Sequence, residues 1–273
     1  MQIDKPKAIV SIDVETDWGG RLPAAPENLL GVRVGLPAIF DILQRYGFPA
    51  TLFVSGEIVP FITEELTQAI KNNYEIASHG FTHRRMPELS PTEINEELAK
   101  SKAILEDATG NSVRGFRAPQ ARIPSGIYTH LAYNGYVYDS SVFGGRMPTR
   151  FKNLDVPYQP YLQEGIWEIP VNQLPIIPFA MGLLWIDLFT VSLVKLAAKI
   201  SQLPPLVHIY MHPFDVIPSY PVESVSIPFG AKLWYTRRHG SALRTLDNLL
   251  SWLQKLGYSF VTAGEMVNLA RVC

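Results

Sequence analysis

The chain has 273 residues, 47% of them hydrophobic and 18% charged, enough for one large α/β domain and too apolar for a disordered chain. Lys+Arg 24 against Asp+Glu 25 leaves a formal net charge of −1, which excludes a nucleic-acid binder held by bulk electrostatics. The one cysteine, Cys273, excludes an intramolecular disulfide.

The opening "MQIDKPKAIVSIDVE" lacks the basic-then-apolar pattern of a signal peptide, so a cytoplasmic location is expected. Residues 7–15 read as a strand, 29–47 as a helix closing on Gly47, and 50–55 as a second strand. Helical 61–74 and strand 75–78 follow. Ser90-Pro91-Thr92-Glu93 is a capping box with proline at the first helical position, and it opens a helix that stops at Gly110.

Strand 113–118, a short helix near "IYTHLAYNG" and strand 136–141 lead into a long irregular loop, 144–164. Strand 166–171, a helix of about 182–201, strand 206–212 and the amphipathic helix 242–257 complete the pattern before a last strand and short helix. Pro178, Asp187 and Lys195 interrupt the apolar stretch 176–200, which falls short of a transmembrane span. A buried or interfacial helix is expected there, leaving peripheral membrane contact open. Strands alternating with helices, with no repeat or linker, predict a single α/β domain over 1–273 whose parallel sheet closes into a barrel.

Such folds build their sites at the C-terminal ends of the strands. Here those ends carry Asp13-Val14-Glu15, Ser78-His79, Arg117-Ala118-Pro119 and His212, and the 166–171 strand carries Glu168. Asp13 and Glu15 are two apart, so both point to one face. They either cap the following loop or join one carboxylate to His79 and His83, a two-histidine, one-carboxylate set suited to a catalytic Zn²⁺ or similar ion. His212 shares strand parity with His208 and Tyr210. His208 lies deeper and reads as a hydrogen-bonded core histidine, whereas His212 is free to exchange protons. His130 and His239 read as structural or surface residues.

"SIDVETD", "SHGFTH", "GFRAP" and "YMHPFD", in that order, resemble the motif series of the polysaccharide deacetylases, the NodB-homology fold of carbohydrate esterase family 4. "YDSSVF" and "WEIPV" are weaker marks between them. The resemblance implies a distorted (β/α) barrel and metal-dependent removal of an N-acyl group from an amino sugar or oligosaccharide. By position it makes Asp13 the catalytic base, His79 and His83 metal ligands, Arg117 the residue orienting the base, and His212 the general acid. The third ligand of the family is usually an aspartate. Glu15 stands nearest, one methylene longer, with Asp17 as a fallback. Glu168 would tune His212, and Pro119, Trp18 and Glu168 are the candidate substrate-binding residues. One divalent ion is implied, Zn²⁺ first, with Co²⁺, Ni²⁺ and Mn²⁺ as alternatives.

The same family resemblance admits a deformylase or deacetylase of lipid-linked sugars and a metal-independent, allantoinase-like amide hydrolase. Two histidines and a carboxylate also suit a non-haem iron oxygenase. A sugar-binding protein with a dead site would use Trp18, Trp185 or Trp234 as stacking faces. Arg237-Arg238-His239 reads as a solvated loop or a phosphate contact.

Overall fold

The computed structural model describes residues 5–147, 151–153, 155–173, 179–217 and 242–272. Pro178, Trp234, Arg237, Arg238, His239, Cys273 and parts of the 144–164 loop lie outside the described residues.

Strand β1 (Lys7–Val14) shows how the sequence makes two cores from one sheet. Its even positions, Ala8, Val10, Ile12 and Val14, pack in the large outer layer beneath the helices. Its odd positions face the opposite side, where Ile9 joins a small interior core with Phe53, Ala77, Tyr138, Ile169 and Leu206. Successive side chains of a strand point to opposite faces, so a strand covered on both faces reads as continuously apolar until its polar end.

The other principal strands are β2 (Thr51–Val54), β3 (Glu75–Ser78), β4 (Gly115–Phe116), β5 (Tyr138–Asp139), β8 (Tyr161–Gln163), β9 (Ile166–Glu168) and β10 (Leu206–Met211). They run in the order β10-β1-β2-β3-β4-β5-β9-β8. Every neighbouring pair is parallel except the antiparallel β8–β9 edge. A short hairpin of β6 (Gly145–Met147) and β7 (Phe151–Asn153) stands apart, and β11 (Ser259–Phe260) pairs with the start of β1. Single bridges Phe143↔Val171, Gln173↔Ala180 and Gly182↔Tyr210 step from the β5–β9 side round to β10. The sheet is therefore a curled, distorted (β/α) barrel, its rim joined by isolated bridges rather than a full ladder.

The helices are the kinked turn α1 (Asp17–Gly20), α2 (Leu36–Tyr46), α3 (Thr63–Lys71), α4 (Pro91–Thr109), α5 (Ile127–Tyr133), α6 (Leu183–Ser201), α7 (Ala242–Lys255) and α8 (Ala263–Val272). The expected capping box at Ser90 is formed, with Glu93 N–H on Ser90 Oγ and Glu93 Oε2 accepting from Ser90 N–H. The expected 29–47 helix is interrupted. Residues Gly31–Gly35 form a π-helical turn before α2, which ends on left-handed Gly47. Strands β4, β5 and β9 are shorter than the sequence pattern suggests, although single backbone hydrogen bonds such as Arg117 N to Ser78 O and Ile169 N to Asp139 O continue past their ends.

The floor of the barrel is closed by one carboxylate. Glu75 Oε2 accepts from Thr51 Oγ1 at 2.9 Å and from Gly264 N at 2.8 Å, in the first turn of α8. Glu75 Oε1 accepts from Tyr138 Oη at 2.9 Å. Glu75→Ala leaves these donors unpaired and is expected to destabilise the protein by roughly 3 kcal/mol, measured by urea denaturation. A change below the error of that measurement would show that water replaces the carboxylate without cost.

Candidate active site

Five polar side chains meet at the C-terminal rim, and four strands position them. Asp13 and Glu15 leave β1, His79 follows β3, Arg117 follows β4 and His212 follows β10. Glu15, at 2% exposure, places Oε2 3.1 Å from His79 Nε2 and 2.5 Å from His83 Nε2. The three donor atoms lie within 4.8 Å of one another. Between the two carboxylates considered for the third position, the structure brings Glu15 to the histidines. Asp17 is instead consumed as a cap, its Oδ2 and Oδ1 accepting from Leu30 N and Gly31 N at 2.8 Å each.

The donor set fits a divalent ion. His79 Nδ1 lies 2.8 Å from the Arg117 carbonyl, a bond that puts its proton on Nδ1 and leaves the Nε2 lone pair facing a carboxylate oxygen. Two acceptors at that separation repel unless a proton or a cation lies between them. His83 Nε2 is buried and makes no hydrogen bond of acceptable geometry despite its closeness to Glu15. An imidazole held by a backbone carbonyl through its other nitrogen is the usual arrangement of a metal-ligating histidine. Glu15, His79 and His83 are the residues that would hold such an ion.

Electrostatics couple the same three groups. Burial pushes the Glu15 carboxyl up, but the nearby imidazoles of His83, His79 and His212 outweigh it and hold the carboxyl well below the usual range. Burial likewise lowers His83, and the Glu15 charge more than reverses it. An ion bound there would compete with protons for these groups, so its apparent affinity would fall as pH falls.

The loop carrying His83 is held from three directions. His83 itself adopts a left-handed backbone, φ +53, a strained conformation for a non-glycine residue. Glu97 of α4 accepts from Phe81 N at 2.9 Å, Thr82 N at 2.8 Å and Thr82 Oγ1 at 2.5 Å. Gly56 N and Glu57 N donate to the carbonyls of Gly80 and Phe81. Gly20, at φ +65, lies so close that an added Cβ would sit 2.1 Å from His83 Nδ1. Sequence reasoning missed Glu97 and Gly20. Glu97 carried a readable signal, a carboxylate on the buried face that α4 forms with Ile94, Leu98, Ser101 and Leu105.

Asp13 and Arg117 form the neighbouring half. Arg117 is fully buried, with Nη1 2.6 Å from Asp13 Oδ1 and the guanidinium 4.0 Å from the Phe53 ring centre. His208 sits beneath them, hydrogen-bonded as expected of a core histidine: Nδ1 to Pro170 O at 3.1 Å and Nε2 to Ser11 Oγ at 2.9 Å. Across the site, His212 is about one-fifth exposed and reaches Glu15 Oε1 at 3.4 Å. Its Nδ1 lies 3.5 Å from Asp215 Oδ2, which also accepts from the His212 N–H. Burial pushes His212 down, but the Asp215 hydrogen bond and the charges of Glu15, Asp215 and Asp13 raise it to about 9.

Of the three candidate substrate-binding residues, Trp18 borders the site through Phe214, which stacks on His212, and the other two lie behind it. Pro119 is buried behind the histidine loop, packed near Gly80 and Met86. Trp18 is only 6% exposed and stacks on Phe214 at 6.3 Å, joining the loops after β1 and β10. Trp185 stacks on Phe179 at 4.6 Å. Glu168 does not approach His212, and this corrects its expected tuning role. In β9 it sits opposite Asp139 of β5, and the two carboxyls face the outer layer. Glu168 accepts from Val142 N at 3.0 Å and Tyr128 Oη at 3.2 Å. The residue that does adjoin His212 is Asp215, three positions on in "HPFD".

Residues 30–138 match the family model described as polysaccharide deacetylase. Among curated relatives, a peptidoglycan deacetylase of Helicobacter pylori is 25% identical over 49% of this chain and 47% of its own. A peptidoglycan deacetylase-like protein of Gibberella zeae is 30% identical over 50% of this chain and 44% of its own. A chitooligosaccharide deacetylase of Bradyrhizobium is 32% identical over 30% and 38%. This chain thus spans about half or less of the length of the curated relatives it matches. Among solved structures, a putative polysaccharide deacetylase from Mycobacterium smegmatis superposes with a TM-score of 0.66 at 18% identity, covering 98% of this chain and 91% of that one. A family 4 acetyl xylan esterase from Clostridium thermocellum, solved with a cobalt ion, gives 0.56 at 19% identity, covering 96% and 90%. The fold is that of the carbohydrate esterase family 4 barrels. Residues 30–138 are thus similar to the polysaccharide deacetylases.

Two measurements test the site. Gly20→Ala is expected to weaken metal affinity by about 10–100-fold, as loss of a ligand's outer support does, read by competition with a chromogenic chelator; unaltered affinity would mean that His83 tolerates displacement. The second concerns Asp139 and Glu168. Burial raises both carboxyls, Asp139 to about 6, and the mutual charge raises Glu168 further. A carboxyl raised by folding stabilises below its unfolded value and loses that contribution as pH rises through the folded one. Wild-type stability should therefore fall between pH 4 and pH 7 by more than that of Glu168→Gln, in thermal melts across those values. Parallel pH dependence in the two proteins would show that the pair takes up no proton.

Proposed function

We propose that this protein is a metal-dependent hydrolase that removes an N-acyl group, acetyl first, from an amino sugar or its oligosaccharide. The observation that carries this reading is the placement of a fixed carboxylate and an imidazole on two sides of one ligand cluster. Asp13 stands on the Arg117 side, and His212 reaches Glu15 from the other.

A divalent ion held by Glu15, His79 and His83 would supply Lewis-acid polarisation of the amide carbonyl and activation of water. Zn²⁺ suits this nitrogen and oxygen donor set, and Co²⁺, Ni²⁺ and Mn²⁺ are the alternatives. Arg117 occupies Oδ1 of Asp13 and leaves the other oxygen to accept a proton from the attacking water. His212, raised to about 9, carries a proton at neutral pH. With Asp215 holding its Nδ1 edge, Nε2 presents that proton to the departing nitrogen. The C–N bond breaks, the water oxygen stays on the acyl carbon, and the products are a carboxylate and a free amine. Trp18 and Phe214 cover the edge of the site and restrict bulk water.

A lipid-linked amino sugar is the second reading. It is favoured by the outer face of α6, where Leu188, Leu193, Leu196 and Ile200 are all at least 40% exposed. No helix among the described residues is long and apolar enough to cross a membrane.

The experiment is metal content and turnover together, using acetate release from N-acetylated chitooligosaccharides. Wild type is expected to bind one divalent ion per chain, and the His79→Ala, His83→Ala double variant none. His212→Ala is expected to keep its metal while losing about 10²–10⁴-fold in turnover, the usual contribution of a positioned proton donor. A wild type that hydrolyses amides without metal would replace this reading with the metal-independent amidase. Normal turnover in His212→Ala would remove the acid from His212.

A further inference from the structure

Arg117 has five N–H donors and no contact with water, so each donor must find an acceptor inside the protein. All five do. Nε donates to Ser140 O at 3.0 Å, and Nη2 to Ser140 Oγ at 2.9 Å and His208 Nε2 at 3.2 Å. Nη1 donates to Ser11 Oγ at 3.0 Å and Asp13 Oδ1 at 2.6 Å. Ser140 fixes the stem edge of the guanidinium. The remaining two acceptors, Ser11 and His208, surround the end that touches Asp13.

We propose that His208 and Ser11 are positioning residues for the hydrolytic reaction, setting the rotation of the Arg117 guanidinium and through it the free oxygen of Asp13. This rests on the hydrolase reading above. The His208 ring has only one orientation that serves. Its backbone N–H donates to Asn172 Oδ1 at 2.8 Å, and Nδ1 is taken by the Pro170 carbonyl at 3.1 Å. Nε2 is left as the lone-pair atom, aimed at Arg117 Nη2 and Ser11 Oγ. Burial and then the Arg117 charge hold the imidazole well below its ordinary range, so the lone pair stays available.

Ser11 is two residues before Asp13 in β1, on the same face, so a single strand presents both Nη1 acceptors side by side. Removing either Ser11 or His208 frees a buried N–H, and the guanidinium turns to satisfy it. Asp13 moves with it, because the pair is a single charged unit in a water-free interior. A histidine that merely filled the core would be replaceable by any side chain of similar volume. A positioning histidine is replaceable only by another acceptor.

The test compares His208→Met, His208→Gln and Ser11→Ala with wild type, each metal-loaded, on N-acetylated chitooligosaccharide. Gln keeps an acceptor oxygen where Nε2 stood and a donor toward Pro170, whereas Met keeps volume alone. His208→Met is expected to lower kcat by about 10²-fold, the scale of a misplacement of about 1 Å, with KM within about twofold; Ser11→Ala should lose about tenfold in kcat. His208→Gln should return kcat to within about threefold of wild type, and metal content should stay at one ion throughout. Guanidinium ¹⁵N spectra of arginine-labelled protein give a second readout. The Arg117 Nη2 hydrogens, slow to exchange in wild type and His208→Gln, should exchange fast in His208→Met. Equal losses in the Gln and Met variants, an effect on KM alone, or unchanged Arg117 exchange would overturn the proposal. Should His208→Met fail to fold, wild-type kcat in Ser11→Ala overturns it. If metal-loaded wild type releases no acetate, the hydrolase reading fails, and the Arg117 exchange alone then decides whether His208 positions the guanidinium.

Discussion

The burial of Arg117 is the constraint around which the rest of the site is arranged. Removing a guanidinium from water costs several kcal/mol unless a counter-charge and a full set of acceptors replace the solvent. The fold supplies Asp13, Ser11, Ser140 and His208 for the donors and the Phe53 ring for one face. These acceptors come from β1, β10 and the residue after β5, distant in sequence, so the charge is satisfied only when the barrel is assembled. The carbonyl of the same residue accepts from His79 Nδ1. One residue thus fixes Asp13 through its side chain and His79 through its backbone, which ties the two halves of the site to a common rigid point.

The other half depends on a loop kept in a conformation it would not adopt alone. A left-handed His83 costs on the order of 1 kcal/mol, and the Glu97 carboxylate offsets it with three hydrogen bonds from the two residues before His83. Gly20 then lets the chain pass close enough to the ring to wall it from solvent. Strain, clamp and close approach together turn a loop histidine into a side chain with one available position, which is what a ligand set requires.

Strand parity was the part of this arrangement most open to sequence reasoning. Counting by twos places Ser11, Asp13, His208 and Tyr210 on one face, and all of them line the interior. The same count locates Glu168 on the opposite face of β9, under α5, where it meets Asp139. Reading Glu168 as a neighbour of His212 ignored that parity. Asp215 was passed over because it lies in the turn after β10, where period-two reasoning says nothing. Asp17 illustrates a third case: its caps on Leu30 and Gly31 span 13 and 14 residues, and no local pattern announces them.

The sequence by itself determined the alternation of strands and helices, the capping of α4, and the delivery of ionisable groups to strand ends, because these follow from local periodicity and short-range hydrogen bonding. Its ordered motifs also pointed to the family. Tertiary structure alone decided which carboxylate reaches the histidines, which acid adjoins His212, and what satisfies Arg117. Those outcomes depend on how far each strand end turns from the barrel axis and on which loops approach within hydrogen-bonding distance. Such distances are set by packing of the whole sheet, and residue order does not carry them.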